Sequence, residues 1–360
     1  MVGKTALTGD PCRGLPLHAT INSFIDTLGV CAAPHSSHQE VSSWPTTGRR
    51  ARDHKLIIIA GRCGRLANRI TLFATFVAWA EEQGYRLLNP TFHSYAHLFE
   101  ATRKNIYCEY PSATRRSWFD VIPGLAPAIR KTRIFTHIAK TASLLNERWP
   151  IFGSKTMTLR EGRKPGELVT SLEGLEVQQR IGDAKIVLVN GWTFRAPGCV
   201  HRHQEKVRAY FKPLAKHLSA SRDAVEHLRQ RSDLVAGVHI RRGDYAGWRQ
   251  GRYFFPVSRY GEWMTELARQ FPGRRVSFLV CSNEPRSPNE FPGLSVGFST
   301  GVPVEDIYAL AECDYIIGPV SSFTQWASFY GDKPLFHLTD ISAHVERERF
   351  HVSYLAEVPN

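Results

Sequence analysis

Short apolar runs alternate with amphipathic segments from about residue 55 onward. Leu56–Ala60 is a continuous apolar run of strand length, and Ile186–Trp192 is a second, interrupted one. The first leads through a glycine-punctuated turn into a segment with apolar residues around most of a helical circumference, and Gly84 is placed to end that helix. The pattern predicts β-loop-α units with buried helices.

The second half of the chain repeats this alternation more clearly. Apolar residues recur at positions 260, 263, 264, 267 and 271, the spacing of a helix that packs on a sheet. Strands alternating with helices predict a parallel, doubly wound, Rossmann-like sheet. The predicted strands of this half are Leu234–Ile240, Val276–Cys281, Asp314–Gly318 and Pro334–Leu338.

The 360 residues are enough for two domains that each bury a core. Residues 1–53 mix Gly, Pro, Ser, Thr and His with short apolar patches, which predicts a poorly ordered N-terminal extension. We predict an N-terminal α/β lobe over residues 54–212, a C-terminal Rossmann-like lobe over 213–345 and a tail over 346–360.

The amino-acid composition limits the classes of protein to which the chain can belong. Hydrophobic residues make up 42% and charged residues 22%, as in folded soluble proteins, and no apolar run approaches a membrane span. The N-terminus lacks the apolar stretch of a secretory signal, so a cytoplasmic location is expected. The seven cysteines are far apart and form no Cys-x-x-Cys pair, which favours reduced thiols over a zinc site.

The formal net charge of +13 predicts an anionic partner: nucleic acid, acidic lipid or a phosphorylated small molecule. Residues 115–164 contain eleven Lys or Arg and three acidic residues. This segment is compatible with peripheral contact at the anionic inner face of the plasma membrane. The alternative, which we favour, is a solvated surface insert.

A cationic cluster follows the first strand of the second half. The stretch GVHIRRGDY, Gly237–Tyr245, ends an apolar run with two arginines and an aspartate. Ligands of open α/β sheets bind at the carboxyl ends of the strands, and a guanidinium can hold two phosphate oxygens at once. The cluster therefore predicts a phosphate site. A salt bridge between an arginine and Asp244 at the strand end is the structural alternative.

The HIRRGDY motif resembles the HxRRGDY signature of the α-1,2-fucosyltransferase family, which is related to the α-1,6- and protein O-fucosyltransferases. Three further stretches resemble the same family, although Ala67 and Arg69 depart from its usual glycine and glutamine, and residues 110–180 match no part of it. The resemblance implies an α/β fold of two Rossmann-like lobes around a central cleft (GT-B type). The three stretches are Gly61–Arg69, Asn190–Phe194 followed by Val207–Pro213, and Glu305–Gly331.

The resemblance assigns the arginine motif to the donor substrate, GDP-fucose. It implies that Arg242 holds the β-phosphate, where negative charge grows as the sugar leaves. Arg241 lies on the opposite strand face by parity and is expected to brace Asp244, itself a candidate for accepting the proton of the acceptor hydroxyl. His239 is expected to line the nucleotide pocket; a satisfied core histidine is its alternative.

The last motif supplies further donor contacts by the same resemblance. Asp306 is expected to read the N1 and N2 hydrogens of guanine and is preferred to Glu305, although acids in the first turn of a helix need no ligand. Ser321 and Ser322 are expected at the β-phosphate, with one of them capping the helix. Phe323 is assigned to the donor pocket, and core packing is the alternative for it.

The glycine-rich loop is a weaker signal. Its spacing is not GxGxxG, which disfavours dinucleotide binding. Gly64 and Asn68 correspond to family positions near the donor phosphate and the acceptor; a helix N-cap is the alternative for Asn68. No Asp-x-Asp occurs in the chain, so no metal or other cofactor is expected, and arginine takes the place of the metal.

These observations favour an inverting, metal-independent glycosyltransferase that moves L-fucose from GDP-fucose to a glycan. Gly243 stands where the α-1,6 family usually has threonine, so we expect an α-1,2 linkage to galactose. The alternatives are an α-1,6-fucosyltransferase acting on N-acetylglucosamine and a non-catalytic GDP-sugar or glycan binder. A nucleic-acid-binding protein would explain only the charge, and no interleaved basic and aromatic face supports it.

Overall fold

The computed structural model describes residues 55–112, 133–148, 155–161 and 169–356. All of them lie in one compact unit, Asp53–Asn360. The predicted extension over residues 1–53, most of the basic segment 115–164, and Cys12 and Cys31 lie outside the described residues. The proposed division at residue 212 stays a prediction.

The first sheet is mostly parallel. Its order is β3-β2-β1-β6-β4, and only β3 runs antiparallel to its neighbour. Two further short strands, β5 and β7, pair with each other apart from this sheet. The strands are β1 (Leu56–Ile59), β2 (Arg86–Leu88), β3 (Glu109–Tyr110), β4 (Thr156–Arg160), β5 (Thr170–Ser171), β6 (Ile186–Asn190) and β7 (Phe194–Arg195).

The helix after β1 is buried on nearly all sides, as its apolar circumference predicts. It is α1, Leu66–Gln83, and Gly84 ends it in the left-handed conformation with φ of 70°. Phe73, Phe76 and Trp79 are fully buried on it. The other helices of this part are α2 (Ile134–Arg148), α3 (Leu175–Ile181), α4 (Pro197–Arg202) and α5 (Gln204–Tyr210).

The second sheet is wholly parallel in the order β10-β9-β8-β11-β12, the doubly wound arrangement that the alternation predicts. Only its edge strand β10 was not predicted, because its four residues are half-exposed and lack an apolar run. The strands are β8 (Leu234–Ile240), β9 (Val276–Ser282), β10 (Ser295–Phe298), β11 (Tyr315–Pro319) and β12 (Leu335–Leu338). The helices are α6 (Ala215–Arg229), α7 (Val257–Arg269), α8 (Pro303–Glu312) and α9 (Ser322–Gly331).

One hydrophobic cluster connects the two sheets. Phe211, which follows α5, packs edge-on against Trp326 of α9 with ring centroids 5.2 Å apart. Its carbonyl also accepts a hydrogen bond from the buried Tyr308 hydroxyl of α8 at 2.6 Å. The predicted α/β fold with two parallel sheets is confirmed. None of the helices in the described ranges is long and apolar enough to span a bilayer.

Candidate active site

The carboxyl edge of the second sheet gathers most of the predicted residues. Arg241 and Arg242 follow β8, and the N-termini of α8 and α9 follow β10 and β11. Asn68 of α1 reaches this edge as well, because its side-chain oxygen accepts a hydrogen bond from the Ser322 hydroxyl. The loop after β1 and the N-terminus of α9 therefore meet at one site.

Arg242 is held against aromatic and backbone groups. Its guanidinium lies 3.8 Å from the centroid of the Phe254 ring and donates to the Phe255 carbonyl at 3.0 Å. The Glu284 carboxylate is 3.7 Å from Nε, which is buried without a hydrogen-bond acceptor. The guanidinium is thus oriented by its surroundings before any ligand binds.

A side-chain amide fixes the backbone of Arg242. Asn283 follows β9; its Oδ1 accepts from the Arg242 N–H at 2.8 Å and its Nδ2 donates to the Arg242 carbonyl at 3.3 Å. The next residue, Gly243, has φ of 61°, and a Cβ there would lie 3.1 Å from Nδ2 of Asn283. The Asn283 side chain therefore continues the hydrogen bonding between the ends of β8 and β9 as far as Arg242.

Arg241 braces Asp244, as parity predicts. Its Nη2 lies 2.6 and 2.8 Å from the two carboxylate oxygens of Asp244. Arg65, from the loop after β1, approaches the same carboxylate at 3.7 Å. The salt bridge foreseen as the structural alternative is present, and Asp244 links the two sides of the site. Sequence reasoning missed this contact, because Arg65 lies far from Asp244 in the chain.

His239 is buried near the end of β8 and stacks on Phe323. The two ring centroids are 4.7 Å apart with an interplanar angle of 15°. Burial lowers the pKa of His239 to about 3, so the imidazole is neutral. Its Nδ1 is buried without a hydrogen-bond partner, and the ring also bonds to the Cys281 backbone. Phe323 stays partly exposed, whereas Trp326 is core.

Ser321 and Ser322 make different contacts at the start of α9. Ser321 is the N-cap of α9, where its hydroxyl accepts from the Thr324 N–H at 3.2 Å. Ser322 donates to Asn68. Gly64 has φ of 41°, and a Cβ there would collide with the Asn68 side chain. The N-cap alternative for Asn68 is wrong, because α1 begins two residues earlier with Arg65 at the cap.

Arg69 explains one departure from the family. It is buried and donates to the carbonyls of Cys63 at 3.1 Å, Gly64 at 3.2 Å and Thr91 at 3.1 Å. Burial lowers the pKa of its guanidinium. The Arg69 side chain thus holds the glycine-rich loop in place through these carbonyls and is not directed into the site. Sequence reasoning missed this structural role.

Asp306 lies buried beneath the loop that precedes α8. Its Oδ1 accepts from the Gly301 N–H at 3.0 Å, and Ser299 also bonds to the carboxyl group. Burial raises its pKa to about 6. Glu305 turns away: its oxygens lie 2.8 Å from Nδ1 of His217 and 2.7 Å from the Thr300 hydroxyl. Of the two acids, only Asp306 is buried at this edge of the sheet.

The described residues also include cysteine thiols and potential metal ligands. Among the described residues, no group of three or more His, Cys, Asp or Glu side chains is arranged to hold a metal. The described cysteines form no disulfide with one another: Cys63, Cys108, Cys199, Cys281 and Cys313. The expectation that no metal is needed stays a prediction.

Comparison with known proteins agrees with this geometry. The sequence profile of glycosyl transferase family 11 matches residues 211–340, which contain β8 to β12 and their carboxyl-end residues. No curated protein sequence matches the chain.

Solved structures show the fold. A mutant of Arabidopsis thaliana FUT1 in complex with GDP is 14% identical with a TM-score of 0.51, covering 92% of this chain and 77% of its own. Fucosyltransferase NodZ from Bradyrhizobium is 15% identical with a TM-score of 0.42, covering 81% and 97%. The family resemblance that the motifs indicated is confirmed: residues 211–340 carry the family 11 glycosyltransferase profile within an α/β fold shared with FUT1.

Proposed function

We propose that this protein transfers L-fucose from GDP-fucose to a glycan hydroxyl, with inversion at the anomeric carbon and with the 2-hydroxyl of a galactoside as acceptor. The proposal is carried by the placement of a pre-oriented Arg242 after β8 and of the serine-capped N-terminus of α9 after the neighbouring parallel strand β11. A planar cation and free helix amides together suit a pyrophosphate. The FUT1 structure that shares the fold contains GDP.

Leaving-group stabilisation supplies most of the rate in this mechanism. As the bond to fucose breaks, negative charge grows on the β-phosphate, and Arg242 and the helix terminus are already aimed at it. No metal is needed, because the guanidinium provides the positive charge. Asp306 already accepts from the Gly301 N–H and from Ser299, and it is proposed to bind the N1 and N2 hydrogens of guanine through its remaining acceptor positions.

Asp244 contributes orientation more than proton transfer. Both of its oxygens already accept from Arg241, and Arg65 approaches from the other side. We assign it to holding Arg241 and the loop after β1 in register.

Donor selectivity tests the proposal without an acceptor. GDP-fucose at about 100 times its Kd should raise the Tm by roughly 5–10 °C, because a ligand that binds only the folded state stabilises it. ADP-glucose at the same concentration should raise it far less, and GDP should behave like GDP-fucose. Equal shifts from GDP-fucose and ADP-glucose in differential scanning fluorimetry would contradict the donor assignment.

A further inference from the structure

A partly exposed tryptophan stands at the carboxyl edge of the first sheet, on the side where the proposed acceptor would enter. Trp192 follows β6, and the loop after β1 packs directly beside it. The Gly61 N–H donates to the Val189 carbonyl at 3.0 Å, and a Cβ on Gly61 would lie 3.1 Å from the Gly191 nitrogen. That loop continues to Asn68, which bonds to Ser322 of the proposed donor site.

The peptide of Trp192 is fixed at both ends by charged side chains. Its N–H donates to Oε2 of Glu161 at 3.0 Å, and its carbonyl accepts from Nη1 of Arg195 at 2.9 Å. The same Glu161 oxygen accepts from the Thr193 N–H at 3.1 Å and the Thr193 hydroxyl at 2.8 Å. A Cβ on Gly191 would come within 3.0 Å of this oxygen, so the arrangement depends on glycine there.

The indole ring of Trp192 has Arg195 as a neighbour and is otherwise partly exposed. The guanidinium carbon of Arg195, a residue only 2% exposed, lies 5.8 Å from the ring centroid. No aromatic ring within the described ranges packs against Trp192, none of those residues accepts a hydrogen bond from its indole N–H, and the side chain is half-buried. A rigidly held aromatic surface with a spare donor is the usual composition of a ligand platform.

We propose, on the basis of the fucosyl transfer proposed above, that Trp192 is the platform on which the acceptor galactoside stacks. Galactose has a continuous apolar patch along C3, C4, C5 and C6, which suits an aromatic face. The 2-hydroxyl lies at the other edge of the ring. A galactose stacked by this patch therefore leaves its 2-hydroxyl directed away from Trp192 and available to the donor.

Two variants and two readouts test this inference. Trp192→Ala should raise KM for a β-galactoside at least tenfold, with KM for GDP-fucose and acceptor-independent hydrolysis of GDP-fucose unchanged, because the platform contacts only the acceptor. Trp192→Phe keeps a flat ring and should recover most of the acceptor affinity. An unchanged acceptor KM in Trp192→Ala, with hydrolysis intact, would overturn the platform.

Saturation-transfer NMR needs no turnover and separates this inference from the proposed donor chemistry. With methyl β-galactoside, saturation should be strongest on H3, H4 and H5 and weakest on H2, and Trp192→Ala should lose it. That pattern in a protein that neither transfers nor hydrolyses GDP-fucose would keep the platform and reject the donor. Strongest saturation on H2 would reject the platform even if transfer occurs.

Discussion

Arg242→Lys should lower kcat for fucosyl transfer by about 10²- to 10³-fold while leaving the protein folded. Lysine keeps the positive charge but lacks the rigid planar fork that directs separate N–H groups at the Phe255 carbonyl and at a phosphate oxygen. It also loses the flat contact with Phe254. Steady-state kinetics with GDP-fucose and a β-galactoside would measure the effect, with circular dichroism as the check on folding.

Helix α7 offers a matched control for this variant. Arg259 of α7 lies 4.8 Å from the centroid of the Trp263 ring and donates to the Ala343 carbonyl at 2.7 Å, a setting like that of Arg242 but outside the proposed site. Arg259→Lys should lose stability without losing kcat. Near wild-type kcat in Arg242→Lys would remove Arg242 from the mechanism.

Asn283→Ala should act through the same arginine. Without the amide, the Arg242 N–H loses its acceptor and the Arg242 carbonyl keeps only the 3.4 Å bond from the Tyr245 N–H, so binding of GDP should weaken more than binding of GMP, which lacks the β-phosphate. In the Arg242→Lys background the same change should add little.

Asp306→Asn should weaken GDP binding by about 10- to 100-fold and relax the preference for guanine over adenine. The new amide places its own hydrogens against the N–H donors of guanine, and hydrogen bonds to a charged partner contribute about 1.5–3 kcal/mol each. Isothermal titration with GDP and ADP measures both effects. Glu305→Gln is the control: it breaks the pair with His217 and should lower stability without changing selectivity. Unchanged discrimination in Asp306→Asn would show that guanine is read elsewhere.

The raised pKa of Asp306 predicts a pH dependence of guanine binding that the Asp306→Asn variant should lack. Guanine binding needs the carboxylate, so affinity should be full above pH 6 and fall as the pH drops through about 6, where Asp306 becomes protonated. The ratio of GDP to ADP affinity isolates this step, because the phosphates titrate alike in both nucleotides. Asp306→Asn should give a flat ratio. The stability of the fold changes with pH in the opposite direction. Burial favours the protonated form of Asp306, so the contribution of this group to the free energy of unfolding is lost as the pH rises through 6.

The second sheet could be predicted almost strand by strand, because its strands are fully buried and read as continuous apolar runs. The short strands β2, β4 and β10 could not be predicted, since three to five residues with partial burial leave no periodic signal. Local sequence also predicted an N-cap at either Ser321 or Ser322 and the end of α1 at Gly84, because both features depend on one or two neighbouring residues.

The contacts that cross the site were beyond sequence reasoning. Asn283 looks like an ordinary turn residue after β9, and only the register of the sheet brings its amide to Arg242. Arg65 and Asp244 are far apart in the chain and meet because two sheets face each other. Arg69 occupies a position where the family has an uncharged amide, and its buried role depends on the carbonyls of a loop whose path the sequence does not specify.

Product analysis tests the central claim most directly. The protein should be incubated with GDP-fucose and methyl β-galactoside in EDTA, and the products assigned by NMR. The account predicts release of GDP with fucose α-linked to the 2-position of galactose, at the same rate when Mn²⁺ replaces EDTA. Absence of transfer to a galactoside, while a chitin oligosaccharide is fucosylated on the 6-position of N-acetylglucosamine, would contradict the α-1,2 assignment. No GDP release with any acceptor would contradict the account as a whole.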